Sequence, residues 1–397
     1  MGKNLRNGLL LTGIFLFIAL AVTPSAAQAP AKIFKFGINT PLSGPAAPWG
    51  TYNTRGMTLA AEKINAAGGF VVAGEKYKVE LVTYDHKYKG PDAVANTKRL
   101  VFEDNVHYLS ILGGGVVPAC QAITEPNKVI VFAFAYGGKS LTNPDSPFTF
   151  RAMPESVEGN AAAYPYVIKE HPEIKKVALI NPDDDVGWAG SEDSRLIAGK
   201  LGLKVVANIF FDRSITDFYP IATKLIAAKP EMIDSSTSPA GSWALLCKAL
   251  RELGYTGVLY QGSVMDPEVI VKTMGVKAAE GMYLSLTVAE PVTPAQKEVA
   301  KAYITKWGEP FLPQTLDYYH CLFYVTQAIS KAGTFDTSAV AKVLEDLEFE
   351  STWGKSRFGG KLLYGIKRQV LWPFVLSKIV DGKGKVVAVS EPPKWLD

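Results

Sequence analysis

Residues 111–118, Ile-Leu-Gly-Gly-Gly-Val-Val-Pro, pass from an apolar run through three glycines into a segment that reads as helix. Residues of these types in this order make a strand–loop–helix turn, and the amides at such a helix start can hold an anion. Three outcomes are open here: a bound phosphate, a different anion, or only a tight turn. A nucleotide phosphate is poorly supported. The run is not Gly-x-Gly-x-x-Gly, and no Gly-Lys-Ser/Thr follows it. Elsewhere the chemistry is sparse. The four histidines, His86, His107, His171 and His320, do not stand at metal-ligand spacing with another histidine or with a cysteine. Asp183-Asp184-Asp185 lacks the calcium-loop pattern and reads instead as a cap for the helix starting near Trp188. No Gly-x-Ser-x-Gly elbow is present. The expectation is a protein with no catalytic residues, no metal and no cofactor, and not an enzyme.

The elements that must position these residues alternate. Residues 35–40 read as a strand. Residues 49–65 carry Met57, Ala60, Ala61 and Ile64 on one helical stripe. Residues 78–85 read as strand and 91–104 as helix, with Pro91 suited to a first turn. Further β-like runs follow, mostly separated by helical stretches. Several are apolar on both faces, as in a parallel sheet covered by helices. Repeated β-α-β units predict an α/β fold with crevices at the strand ends. The alternation restarts after Asn143-Pro144-Asp145-Ser146-Pro147, which marks the boundary between two sheets.

Composition sets the outer limits. The 397 residues suffice for two α/β domains, 48% of them are apolar, and the net charge is only +4. No lysine/arginine block stands out, so nucleic acid is not an expected partner. Lys3 and Arg6 precede an apolar run over 9–22, and Thr23-Pro24-Ser25-Ala26-Ala27 follows with small residues at 25 and 27. This is the layout of a secretory signal peptide over residues 1–27, and the run is short for a membrane span. Removing it lowers the net charge from +4 to +2. Cys120, Cys247 and Cys321 show no framework spacing and read as buried small apolar residues.

Residues 41–50 (PLSGPAAPWG) lead into a helix ending INAAGG at 64–69; residues 82–101, 150–167 and 178–190 continue an ordered series. The series resembles the type I periplasmic solute-binding proteins of ABC importers, in particular the leucine/isoleucine/valine-binding proteins. It covers the chain from about residue 32 onward. The resemblance implies two Rossmann-like α/β lobes with parallel-type sheets, joined by a three-crossing hinge. Such lobes close on a ligand like a Venus flytrap, dock on a membrane permease and do no chemistry. The expected limits are 32–151 plus 285–353 for lobe one, and 154–283 plus 357–397 for lobe two. A monomer in the periplasm is expected, with an inner-membrane ABC permease as partner.

The resemblance also implies a site. In the amino-acid-binding relatives the loop after the third strand carries serines, the next loop carries alanine and threonine, and a lobe-two acid holds the ammonium. Here the first loop offers Gly114, Gly115 and Val116 without hydroxyls, and the next offers Ala135 and Tyr136. The acid position falls near Ser263, with Asp266 the nearest carboxylate. Trp49, Trp188 and Thr237 complete the expected contacts, whereas Arg55 is expected on a solvated or salt-bridged face. A buried ammonium without a carboxylate partner costs several kcal/mol. These departures therefore predict a small organic carboxylate, aromatic or aliphatic, held by backbone amides between aromatic walls. The alternatives are a branched-chain amino acid or amide, and a ligand-sensing subunit of a signalling system.

Overall fold

The strand runs with no polar face become the interiors of two sheets. In the computed structural model, which describes residues 31–44, 46–263, 266–285 and 291–396, Tyr108–Leu112 and Ile130–Phe134 are buried at every position. They are the third and fourth of the parallel strands of a nine-stranded sheet, and helices cover both faces. The expected signal segment, 1–27, lies outside the described residues.

In chain order the first strands are β1 (Lys32–Thr40), β2 (Phe70–Val72), β3 (Glu75–Asp85), β4 (Tyr108–Leu112), β5 (Ile130–Phe134) and β6 (Thr149–Arg151). The second group is β7 (Lys176–Pro182), β8 (Lys204–Phe211), β9 (Met232–Ser235), β10 (Val258–Gln261) and β11 (Tyr283–Ser285). Then come β12 (Phe349–Ser351), β13 (Gly354–Gly359), β14 (Gln369–Leu371), β15 (Phe374–Val380) and β16 (Lys383–Ser390). The nine-stranded sheet has the order β12-β13-β14-β6-β5-β4-β1-β3-β2, and the seven-stranded sheet the order β16-β15-β11-β10-β9-β7-β8. β1 pairs with β3 and β4, β4 with β5, and β7 with β8 and β9, all parallel. The antiparallel pairs lie at the edges, in β2–β3, β12–β13–β14 and β11–β15–β16. This is the two-lobe, mostly parallel α/β architecture expected.

The chain leaves lobe one after β6, returns after β11, and crosses back between β14 and β15. That last crossing lies later than expected. Residues 354–359 and 369–371, of which 357 onward were assigned to lobe two, pair inside the nine-stranded sheet. The reason is that β13 closes a hairpin with β12 and then bonds β14, which lies beside β6. The crossing is Trp372-Pro373. The lobe limits that follow this pairing are 31–151 with 294–371, and 156–285 with 374–390.

The first crossing is anchored by buried charge. Arg151, fully buried, pairs with Glu155 and sits 3.2 Å from Glu158. Its Nε donates to Gln369 of β14, and its guanidinium lies 4.6 Å from the ring centroid of Tyr364. The Tyr364 hydroxyl donates to Glu158 at 2.6 Å. Glu155 also caps the helix Ser156–Glu170, in a reciprocal arrangement with Glu158. Burial, partly offset by Arg151, raises the Glu158 carboxyl, and burial raises Asp193 well above its usual range. Removing one partner of a buried ion pair leaves an uncompensated charge. Arg151→Met is therefore expected to destabilise the fold by roughly 3–5 kcal/mol in urea denaturation at neutral pH. A loss under about 1 kcal/mol would contradict this account.

Candidate ligand site between the lobes

The loops after β3 and β4 in lobe one approach the loops after β7 and β8 in lobe two, through Tyr88 near Asp184 and Arg213 and through Gly114 near Val186. The chain turns sharply after β3: His86 is buried, its Nε2 donates to the Leu112 carbonyl at 3.0 Å, and its Nδ1 accepts from the Tyr88 amide at 3.0 Å. Burial lowers the His86 pKa, so the ring is neutral and the donor–acceptor arrangement is fixed. This ties the Tyr88 loop to the end of β4. Gly113 has φ of +121°, which favours glycine, and a Cβ there would lie 2.8 Å from the Tyr88 ring. The tyrosine therefore lies against bare backbone. Burial raises its pKa, and it also feels Arg213 and Asp184 of lobe two.

The glycine loop then runs close to its neighbours. A Cβ on Gly114 would lie 2.4 Å from the Tyr136 carbonyl oxygen and 3.6 Å from Cγ2 of Val186, across in lobe two. Val116 donates its amide to the Gly113 carbonyl at 3.2 Å and buries its side chain in the lobe-one core. Neither part of Val116 is open to a ligand, so the expected contact reduces to Gly114 and Gly115. Among the described residues, the amides of these two glycines have no backbone acceptor. Gly115 is exposed, with open space around its Cα.

The next loop behaves differently. Ala135 is buried in the core, and Tyr136 is half-buried beside Tyr318, whose pKa it helps burial to raise. The amides of Gly137 and Gly138 already hold an anion of the protein's own, the Glu155 carboxylate, with Gly138 at 2.8 Å. The lobe-two candidates are also internally engaged. Thr237 places both its amide (3.1 Å) and its hydroxyl (3.0 Å) on Asn181 Oδ1. Ser263 is buried, with its amide and hydroxyl on Gln261 Oε1 at 2.6 and 3.0 Å. Asp266 caps the helix Pro267–Met274 by accepting from Glu268 N at 2.9 Å. Asp184 is a helix cap as expected, accepting from Gly187 at 2.9 Å. Arg55 is likewise in a salt bridge, with Glu309 at 2.6 Å. All three cysteines are free and buried.

Trp49 and Trp188, near the starts of their helices, are 40% and 48% exposed. Trp188 donates Nε1 to Asp183 at 2.9 Å, and Trp49 meets Tyr52 edge-on at 5.7 Å. Tyr52 in turn feels Asp266 of lobe two. Tyr318 packs on Phe134 at 4.6 Å and feels Tyr136, Tyr52 and Tyr88. Four tyrosines thus gather between the glycine loop and the hinge. Of these, the expected set holds only Tyr136. The three-residue spacing of Trp49 and Tyr52 puts them on one helix face, a signal present in the sequence. Tyr88 and Tyr318 become neighbours only through the tertiary fold. So does Asp317, which lines a cavity of about 10 Å³ at the hinge with Met153 and Pro154 of the first crossing and Trp372 and Pro373 of the third. Burial pushes the Asp317 carboxyl up to about 7.

Two α/β lobes that meet across strand-end loops, linked by three crossings, define a solute-binding protein. The description "periplasmic binding protein" fits residues 34–365, most of the chain, and the chain belongs to that family. An amino acid binding protein of Pseudomonas aeruginosa is 26% identical over 356 residues, covering 88% of this chain and 90% of that one. Among solved structures, the amino acid ABC transporter substrate-binding protein of Pseudomonas fluorescens Pf-5 superposes with a TM-score of 0.75 at 19% identity, covering 92% of this chain and 98% of that one. A solute-binding protein of Rhodopseudomonas palustris HaA2, solved with p-hydroxybenzoic acid, gives 0.74 at 20% identity, with coverages of 92% and 99%. The family's members are periplasmic, and no helix among the described residues is long and apolar enough to cross a membrane.

Two outcomes follow from the packing. Gly114→Ala must displace the Tyr136 carbonyl and is expected to destabilise by about 1–3 kcal/mol, whereas Gly115→Ala should stay within about 0.5 kcal/mol. Equal effects in chemical denaturation would refute the close approach. For Asp317, the folded-state value near 7 lies above the unfolded value of about 3.9. The folded form is then the better proton binder, and stability falls as pH rises between about 4 and 7. The stability advantage of Asp317→Asn over wild type in chemical denaturation should accordingly widen across that window, towards a few kcal/mol. A constant difference would contradict the raised value.

Proposed function

We propose that this protein captures a small organic carboxylate, aromatic in the reading favoured here, between its two lobes and delivers it to an ABC permease. The observation that carries the proposal is the Gly114–Gly115 backbone, with two amides lacking a backbone acceptor among the described residues, near Val186 of lobe two and next to Tyr88 and Tyr136. Bare amides at a helix start favour an anion, and tyrosine faces favour a flat apolar body. The lobe-two positions argue in the same direction. Ser263 stands where an acid would hold an ammonium, and Asp266 is occupied as a helix cap. Solved neighbours of this fold hold benzoate, 4-hydroxybenzoate and 3,4-dihydroxybenzoic acid, and another holds isoleucine.

The protein acts by closure and carries out no reaction. A solute that touches both lobes stabilises the closed form by its differential contacts. Delivery in the periplasm after removal of residues 1–27, as a monomer, completes the reading. Trp49 and Trp188 are the expected outer walls; Thr237 and Ser263 shape lobe two without donating a hydroxyl.

Calorimetric titration with benzoate-type acids, short dicarboxylates and branched-chain amino acids tests the proposal. Micromolar or tighter binding of an aromatic acid, with leucine and valine at least about a hundredfold weaker, is expected, a gap of about 2.7 kcal/mol. Tight leucine or valine binding without affinity for acids would sink it.

A further inference from the structure

The loops through which the lobes approach each other are braced from behind. In lobe one, Lys87 and Tyr88 follow β3 with φ of +53° and +59°. Two successive residues with side chains thus take the left-handed conformation, which costs energy in any residue but glycine. The surroundings hold the turn in place. The Lys87 amide donates to Asp85 Oδ1 at 2.8 Å, the Tyr88 amide to His86 Nδ1 at 3.0 Å, and the Lys89 amide to the His86 carbonyl at 2.7 Å. What this strained turn presents is a tyrosine, 46% exposed, with its ring against Gly113. Among the described residues, no hydrogen bond occupies its hydroxyl.

Lobe two approaches it with a pair of opposite charges. Asp184 caps the helix Asp185–Lys200 and also accepts from Arg213 Nε, which ties the loop after β7 to the loop after β8. Asp212 braces the second loop by accepting from the Ser214 amide at 2.7 Å and its hydroxyl at 2.6 Å. Two observations place the pair beside Tyr88. Both charges act on the Tyr88 phenol. Val186, two residues beyond Asp184, comes to 3.6 Å from the Cβ position of Gly114, the neighbour of the glycine under the tyrosine ring.

A phenol suits such a pair. Its O–H donates to a carboxylate, and its oxygen accepts from a guanidinium, which keeps further N–H groups when Nε is taken. Asp184 has one oxygen on Gly187 and the other on Arg213, and each retains a lone pair for another donor. Hydrogen bonds to charged groups are the stronger kind. A contact of this sort between lobes stabilises the closed form whatever solute lies inside.

We propose that Tyr88 is the positioning residue of a latch between the lobes: on closure its hydroxyl bonds the Asp184–Arg213 pair and slows reopening. The inference rests on capture between closing lobes and not on the identity of the solute.

Release of 4-hydroxybenzoate, benzoate and leucine is followed by stopped flow from wild type, Tyr88→Phe, Arg213→Gln and the double variant. Tyr88→Phe keeps the ring and removes only the hydroxyl, and both side chains are exposed enough to be replaced without loss of the fold. Each single substitution should speed release about tenfold for every probe that binds wild type. The double variant should release within about twofold of the faster single, because both changes break the same contact. Unchanged release, additive effects, or an effect confined to one probe overturns the latch; the last would make the hydroxyl a solute contact. A second measurement needs no solute. Tyr88→Cys combined with Arg213→Cys should be joined by a short bismaleimide and detected by mass spectrometry, since the native cysteines are buried. Absence of this cross-link overturns the latch and leaves the carboxylate reading standing. If no probe binds wild type, the carboxylate reading falls, and the cross-link alone upholds or overturns the latch.

Discussion

The two lobes are held in register by one buried arginine. Arg151 ends β6, the last strand before the first crossing, and its guanidinium gathers Glu155, Glu158, Gln369 and the face of Tyr364. These partners come from the first crossing, the lobe-two helix it enters, and the β14 segment that precedes the third crossing. A charge at zero exposure demands that all of them keep their places, because the penalty for an unpaired buried ion exceeds most single packing terms. Glu155 extends the constraint into the cleft by holding the amides of Gly137 and Gly138. The loop after β5 is thus shaped from the hinge, by a carboxylate of the protein itself. A solute anion has to look elsewhere, and the open amides at Gly114 and Gly115 lie one loop away.

The glycine loop is held by a separate device. His86 joins the β3 turn to the end of β4, Tyr88 lies against Gly113, and Gly114 lies against the Tyr136 carbonyl. The last two steps need the absence of a side chain. Lobe one therefore offers a stiff backbone surface, and lobe two approaches it with Val186 and the Asp184–Arg213 pair. Beneath the lobe-two loops, Asp234 is buried with Tyr164 (2.7 Å) and Ser236 (3.2 Å), and burial pushes its carboxyl up to about 6. This polar floor keeps the strand ends in place from below.

Periodicity carried most of the architecture. β4 and β5 read as doubly buried strands because they hold no polar alternation, and the helix Ala47–Ala66 shows its stripe of Met57, Ala60, Ala61 and Ile64. The third crossing was not legible, since β14 is only three residues long and one of its partners, β6, lies over two hundred residues earlier. Within the site, Gly114 and Gly115 could be placed by their strand–loop–helix setting. Whether Val116, Thr237 or Ser263 keeps its polar groups free depends on Gly113, Asn181 and Gln261, which spacing alone does not reveal. Asp317 sits in the five-residue helix Thr315–Tyr319 and gains its meaning only from walls contributed by distant crossings.

The route of the chain also governs the order in which the molecule can be completed. Lobe one lacks β13 and β14 until residue 371 is available, and lobe two lacks β15 and β16 until residue 390. Neither lobe can finish its sheet before these late strands are in place, and contacts of such long sequence separation form slowly. The same interleaving ties the last strands of each lobe to earlier ones, so that detachment of the segment from β13 to β16 loosens both halves together.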